Sequence, residues 1–520
     1  MNPALSKKDS PDTNRKGGVN LFRALKKIPQ LVSISAIAKR KKTNIWLVGG
    51  FLRDAYITKN KDLIDFDFCV ERNTYSVAKE FAKKVSSKLI ILDKAQGSFR
   101  VVLNPVRSTG FRKKKTKISN GVKRKNKFYT YDFSRMRGGD LHEDLSLRDF
   151  SVNSLAVNVR EKRPEIIDYF NARQDLKKKI IRVIRDEVIP QDPLRILRGF
   201  AFKAKYGFRI APKTYKLMAK HKNLLKKTSK ERIAEELFKI LDSSQAYETI
   251  IKMDKARIID EVIPCISQTR GIHQGAYHHL GVWEHSLETL KQFELFYKKT
   301  LIKDNLITDY LNQELAKGRR RLQIVKLACL LHDIGKPQAK KKAKKRTLFH
   351  GHEKIGRDLA DRIAEDLRIS FREKELLKRL IFWHLRPGYL ADQITPSKRA
   401  IYHFFRDTQD EGAGVILVSL SDWRATRGPL VDQSKRSRHE RIMINLIDTY
   451  FEEKQKKPLP KIVDGYDIMR KFKLKSGALV GEVLRKIKEE QTLGKVSTKT
   501  EAYKVAKNVI NKKSVKKKRK

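Results

Sequence analysis

Two sets of residues in this 520-residue chain have types and spacings suited to chemistry. The first is Asp65-Phe66-Asp67-Phe68. Alternate side chains of an extended strand share a face, so Asp65 and Asp67 project together while Phe66 and Phe68 turn to a core. Two carboxylates side by side repel unless a cation lies between them, and the expected occupant is Mg²⁺. The second set is His285, His332-Asp333, His352, His384 and Asp422. Neutral imidazoles with carboxylates suit a divalent transition metal, and an adjacent His-Asp pair at a helix end offers two ligands at once.

The first set needs a strand and a turn to present it. Ile45-Trp46-Leu47-Val48 reads as a short buried strand, Gly49-Gly50 breaks it, and Phe51-Leu52-Arg53-Asp54 opens a helix. A Gly-Gly turn lets backbone N–H groups approach a triphosphate, and the helix N-terminus behind it favours negative charge. Phosphate cradle and metal therefore fall in one small motif. Helical periodicity covers Thr74 to Lys88, and strands are expected at Leu89 to Asp93 and Phe99 to Leu103. Phe128 to Phe133 alternates as a further strand, with Asp132 on the face of Phe128 and Thr130. Phe200 to Phe208, with Ile210 and Tyr215, reads as continuing amphipathic helix.

The formal charge of +58 says little about fold, but it predicts attraction to polyanions and steep salt dependence; nucleic acid is the natural partner and a membrane surface the competing one. Basic runs occur at residues 112–127, at Lys340 to Arg346 and in the final nine residues, KKSVKKKRK, where solvated disorder is expected. With 40% apolar residues the chain has enough for real cores. It has no apolar run long enough to span a bilayer, and Met1 to Gly18 lacks the apolar region of a secretory signal. Cys69, Cys265 and Cys329 are scattered in apolar contexts, as reduced core thiols of a cytoplasmic protein would be.

Gly49-Gly50-Phe51-Leu52-Arg53-Asp54 ahead of Asp65-Phe66-Asp67 resembles the nucleotidyltransferase superfamily, specifically the tRNA nucleotidyltransferase and bacterial poly(A) polymerase family. The stretch Leu145 to Ala156, with Arg148-Asp149-Phe150 and Asn153, is similar to that family's Arg-Arg-Asp-Phe-Thr-x-Asn-Ala-Leu-Ala helix, with Leu147 in place of an arginine. The resemblance implies that Gly49, Gly50 and Arg53 bind nucleotide, that Arg148 and Asp149 contact its ribose and phosphates, and that Asn153 supports the triphosphate. It makes Asp132 a third carboxylate that completes the metal site and helps deprotonate an RNA 3′-hydroxyl. Ile166 to Phe170 with Asp175-Leu176 and Ile181-Arg182 resembles the family's hinge, where Asn171 and Ala172 replace glycines.

Gln191-Asp192-Pro193-Leu194-Arg195 resembles the family's Glu-Asp-x-x-Arg, with Arg198 one turn on. On a helix starting near Pro193, Asp192 and Arg195 are i, i+3 neighbours. Carboxylate beside guanidinium offers an acceptor and a fork of donors to a base edge, so C or A is read without a template. Gln191 still accepts hydrogen bonds, so base selection is expected to survive while the choice of base stays open. Ser229 to Leu237 resembles the last core motif and reads as structural.

The histidine set, with His332-Asp333-Ile334-Gly335-Lys336-Pro337 at its centre, resembles the HD metal-dependent phosphohydrolase superfamily. By that match His285, His332, Asp333 and Asp422 hold one metal, and His352 and His384 can hold a second. A bound hydroxide there would attack phosphomonoesters or 2′,3′-cyclic phosphates. Val463 to Met469 with Gly477, Gly481 and Leu484 resembles the RNA-gripping helical C-terminal segment of HD-bearing CCA-adding enzymes.

The expected fold is α+β. A basic lead-in and helix (1–42) precede an α/β nucleotidyltransferase head (43–160), an all-helical neck (161–275), an HD-type body (276–440), a helical RNA-binding tail (441–508) and a disordered basic end (509–520). The expected activity is template-independent addition of C-C-A, or part of it, from CTP and ATP to tRNA. The expected cofactors are Mg²⁺ in the head and a divalent transition metal in the body. The expected partners are tRNA, ATP and CTP, without a membrane. Three rivals stay open: a poly(A) polymerase, an enzyme adding only the terminal A, and a non-catalytic basic RNA-binding scaffold.

Overall fold

A computed structural model describes residues 25, 26, 28–57, 64–104, 128–275, 279–301, 304–316, 318–343, 346–426 and 433–518. The basic run 112–127 and residues 1–18 lie outside them. The chain divides into two compact units, Met1–Thr228 and Ser229–Lys520. The division falls inside the segment 161–275 that was expected as one neck.

The first unit is built on a mixed sheet of seven strands in the order β3-β4-β5-β2-β1-β6-β7. The strands are β1 (Ile45–Val48), β2 (Asp65–Val70), β3 (Leu89–Asp93), β4 (Ser98–Leu103), β5 (Tyr129–Arg135), β6 (Ala156–Asn158) and β7 (Ile166–Ile167). β2 and β5 run parallel at the centre, while β1 pairs antiparallel with β2 and with β6. Period-two alternation divides β2 as expected. Phe66 and Phe68 are 1% exposed and pack with Tyr131, Phe133 and Phe81 on one face. Cys69 packs on the other with Trp46, Val48, Leu141, Leu145 and Ala156. The odd-numbered face thus has a dry base at Cys69 and a polar top at Asp65 and Asp67.

Two local expectations are corrected. Leu145 to Ala156 is not one helix: a helix Leu141–Ser146 ends, Phe150 is extended, Ser151–Asn153 makes one 3₁₀ turn, and β6 follows. Ser151 Oγ donates to Asp175 Oδ2 and Ser154 Oγ donates to the Ser151 carbonyl, side-chain bonds that compete with helix propagation. Nor does Phe200 to Tyr215 form one helix. The helix Arg195–Tyr206 stops at Gly207 in the left-handed region, and Pro212 starts the helix Pro212–Lys220.

The second unit is helical save for two-stranded ribbons. The helices Val282–Lys299, Arg321–Leu331, His352–Asp366, Phe371–Trp383 and Gly412–Ala425 enclose a core that includes Phe293, Leu327, Leu377 and Leu417. A smaller core of Ile468, Val483, Ile487, Ala502 and Ala506 joins three C-terminal helices. The last of these, Lys499–Lys518, corrects the expected disorder after residue 508: lysine is a good helix former and the preceding turns supply the nucleus. No helix among the described residues is long and apolar enough to cross a membrane.

Candidate functional site

In the first unit, register brings the acidic strand to the glycine turn. Val48 pairs with Asp67, so the Asp67 carboxylate stands beside Gly49. Gly49 has φ +73°, and a Cβ there would lie 3.3 Å from Arg148 Nη1 and 3.7 Å from Asp67 Oδ2. Glycine alone adopts that backbone cheaply and leaves the space open. Asp132 faces Asp67 across the parallel pair. Burial pushes the Asp67 carboxyl above the usual carboxylate range, Asp132 and Asp65 add to the shift, and Arg148 opposes it. An acidic edge in that state gains from a cation, so the residues present fit a divalent ion.

Asp132 is placed as expected but is not a free base. Arg100, opposite it on β4, donates from Nε to Oδ1 and from Nη2 to Oδ2, both at 2.7 Å. Each carboxylate oxygen keeps one further lone pair.

Behind this edge lies a cavity of about 330 Å³ that gathers Gly49, Gly50, Asp67 and Asn153 with the guanidinium groups of Arg53, Arg137, Arg148, Arg195 and Arg198. Each arginine is braced. Arg53, 7% exposed, donates to Asp54, Asn153 and Tyr206 and lies 4.9 and 5.0 Å from the ring centroids of Phe202 and Tyr206. Asp144 accepts from Arg137 Nε at Oδ1 and from Arg148 Nη2 at Oδ2. Asp149 also lines the cavity; it accepts from Arg198 at Oδ2 and from the Phe150 N–H and the Asn153 amide at Oδ1. Burial works against the Asp149 charge, yet Arg198, Asn153 and Phe150 outweigh it and hold the carboxyl below the usual range.

Asp192 and Arg195 both line this cavity, but not from one helix. A short helix ends at Gln191, Asp192 is extended, and the next helix starts at Arg195. Arg195 donates to the carbonyls of Val188 and Leu147. A single helix from Pro193 is therefore corrected, while the carboxylate-guanidinium juxtaposition stands. Sequence reasoning missed Arg100, Arg137, Asp144 and Tyr206. Arg100 had one signal, its place within the strand expected at Phe99 to Leu103.

The second unit collects all six expected metal-type residues. Ligand atoms of His285, His332 and Asp422 lie within 4.8 Å of one another, as do those of Asp333, His352 and His384. Asp333 joins the two groups, with Oδ2 3.2 Å from His332 Nε2 and Oδ1 3.3 Å from His352 Nε2. This alters the expected grouping, in which Asp333 served the first metal alone. Nδ1 of His332, His352 and His384 faces the carbonyl of Cys329, Phe349 and Ile381 respectively, at 3.0, 2.7 and 2.6 Å. A ring nitrogen facing a carbonyl carries the proton, so in the neutral ring Nε2 offers its lone pair. All three Nε2 atoms are buried without a hydrogen-bond partner. Burial, with His332 and His352 alongside, brings His384 down to about 3, so its ring is neutral. Such donors fit one or two divalent metals. Gly335 makes the packing possible: a Cβ there would lie 2.2 Å from the His352 carbonyl oxygen.

Residues 45–182 match the family model described as the Poly A polymerase head domain, 207–269 that of a probable RNA and SrmB-binding site of polymerase A, and 282–425 the HD domain. An A-adding tRNA nucleotidyltransferase of Deinococcus radiodurans is 28% identical over 370 residues, 70% of this chain and 78% of that protein. A CC-adding tRNA nucleotidyltransferase of Thermus thermophilus is 26% identical over 464 residues, covering 88% of this chain and 91% of its own. Among solved structures, the Thermotoga maritima CCA-adding enzyme complexed with tRNA has a TM-score of 0.61 at 18% identity, over 95% of this chain and 98% of that one. At that identity the likeness is one of fold.

Proposed function

The chain belongs to the tRNA nucleotidyltransferase and poly(A) polymerase family, and we propose that it adds C-C-A, or part of it, to tRNA 3′ ends from CTP and ATP. Divalent metal use goes with both the head and the HD domain. The observation that carries the reading is the Asp67 carboxylate beside Gly49 at an arginine-lined cavity, with Asp65 two residues away on the same face of the strand. Asp65 and Asp67 hold the cation, for which we propose Mg²⁺. When bound there, it supplies Lewis acidity to a phosphoryl oxygen and to an attacking hydroxyl.

The chain's own residues do the rest. Gly49 and Gly50 admit the triphosphate to the backbone, and Arg148, aimed at the same edge, takes up charge on its oxygens. Arg53 fixes Asn153, and Asp149 fixes Asn153 and Arg198, so the cavity wall is set before nucleotide arrives. Asp192 and Arg195 present an acceptor and donors to the base. Asp132 positions the acidic edge through its pair with Arg100 and lends its remaining lone pairs to the cation. The 3′-hydroxyl gives up its proton to solvent and attacks the α-phosphate in line, the new P–O bond forms as the bond between the α- and β-phosphates breaks, and pyrophosphate leaves against the arginine wall.

A nucleotide-addition assay on three tRNAs, ending before the first C, before the second C and before A, tests this. Extension of at least one by the missing nucleotides is expected; a long homopolymer on any RNA end would establish the poly(A) reading instead. The buried, unpartnered histidine Nε2 atoms favour a second activity, hydrolysis of phosphomonoesters or 2′,3′-cyclic phosphates in the body. A metal held there would supply hydroxide at neutral pH. His332→Ala is expected to abolish that hydrolysis and spare nucleotide addition; loss of both would contradict separate sites. We place the protein in the cytoplasm, where Cys69, Cys265 and Cys329 stay free thiols.

A further inference from the structure

The sheet of the first unit carries a second cleft, at the opposite end of β2 from the acidic pair. From Asp65 to Val70 the strand covers about 17 Å. β2 and β5 run parallel and end together at Val70 and Arg135, so this cleft lies outside the carboxyl ends of the parallel pair, where open α/β sheets take ligands. It encloses about 480 Å³ and is lined by Arg72, Thr74, Tyr75, Lys94 and Arg135, with Glu71 the acid among its walls.

Three observations converge on it. The 11-residue helix Thr74–Lys84 begins in the cleft. Its first backbone bond runs from the Val77 N–H to the Asn73 carbonyl, so the N–H groups of Thr74, Tyr75 and Ser76 have no acceptor within the helix. The Asn73 side chain makes no cap bond to them. Independently, Thr74 is 6% exposed and its Oγ1 has no hydrogen-bond partner. Lys94, in the turn after β3, and Arg135, the last residue of β5, are exposed cations, and no ion pair engages either among the described residues. Glu71 does not cancel them, because its carboxylate accepts from the Asn44 N–H, the Asn44 amide and Arg72. Tyr75, 48% exposed, lines the cleft with its ring in a T-shaped contact with Phe99 and with Lys79 Nζ 5.7 Å from the ring centroid.

We propose that this cleft is an anion site that takes a phosphate group of an RNA strand, with the neighbouring base against Tyr75. The helix N-terminus and the Thr74 hydroxyl donate to the phosphate oxygens, and Lys94 and Arg135 supply the opposing charge. That RNA is the source rests on the function proposed above; the anion site itself rests on geometry alone.

The test uses the full chain, with Lys94→Ala/Arg135→Ala in one variant and Thr74→Val in another. Inorganic phosphate is titrated calorimetrically, and tRNA binding is measured by filter retention across a salt series. We expect phosphate binding to be lost in the double variant and weakened in Thr74→Val. We also expect tRNA affinity to fall about tenfold in the double variant, with the log-log salt slope shallower by about one to two and KM for nucleotide unchanged. Phosphate binding lost with tRNA affinity and slope unchanged would overturn RNA as the source and leave a site for free phosphoanions. Phosphate that binds wild type and variants alike, or binds none of them, would overturn the site. A wild-type chain that fails to extend tRNA would contradict the function and leave the phosphate titration standing.

Discussion

At the scale of residues, Arg148 is the most informative side chain after the acidic pair. Asp144 holds one end of its guanidinium, and the other reaches the Gly49 turn beside Asp67. Arg148→Lys keeps the charge but loses the fork, and is expected to lower kcat/KM for nucleotide by about ten- to a hundredfold, the scale of one charge-assisted hydrogen bond; steady-state addition kinetics check it. Asp149 gives a pH prediction. Its folded carboxyl sits below the usual range, so its contribution is fully present above the unfolded carboxylate value and is lost as pH falls through the folded one. Asp149→Asn should therefore lose less stability than wild type as pH falls below about 4, read from urea midpoints. Asp65, Asp67, Gly49 and the six metal-type residues were legible because their spacing is local or their types rare. Arg100 on Asp132 and Tyr206 on Arg53 were not. Those partners are 32 and 153 residues apart in sequence and meet only through sheet register and helix packing.

At the scale of elements, the strands around the acidic pair follow from alternation, and the errors lie where side chains or punctuating residues override periodicity. Ser151 and Ser154 turn a helical-looking stretch into a 3₁₀ turn and a strand. Gly207 and Pro212 carried the break signal in the sequence itself, against a run of apolar residues that favoured one helix. Gly335 offers a test at this scale. A methyl group there would press on the backbone at His352 and Gly356, so the helix His352–Asp366 must shift. Gly335→Ala is expected to cost about 1–3 kcal/mol, as overpacking does, and to loosen metal retention by the body. Urea unfolding and metal content after dialysis report the two effects.

At the scale of the whole molecule, the sequence offers two sets of residues suited to chemistry, and each of the two compact units holds one set. The excess of 58 positive charges spreads over a chain whose expected partner is a polyanion. Binding of tRNA should accordingly weaken with salt, with a log-log slope of about −0.7 to −0.9 for each phosphate engaged; a flat salt response would remove the electrostatic basis for RNA as partner. The most direct measurement is incorporation of labelled CTP and ATP into a tRNA lacking its 3′ end, comparing wild type with Asp65→Ala/Asp67→Ala at matched folding by circular dichroism. We expect the double variant to incorporate neither nucleotide above background. Substantial incorporation by that variant would contradict the acidic edge at Gly49 as the seat of nucleotide transfer.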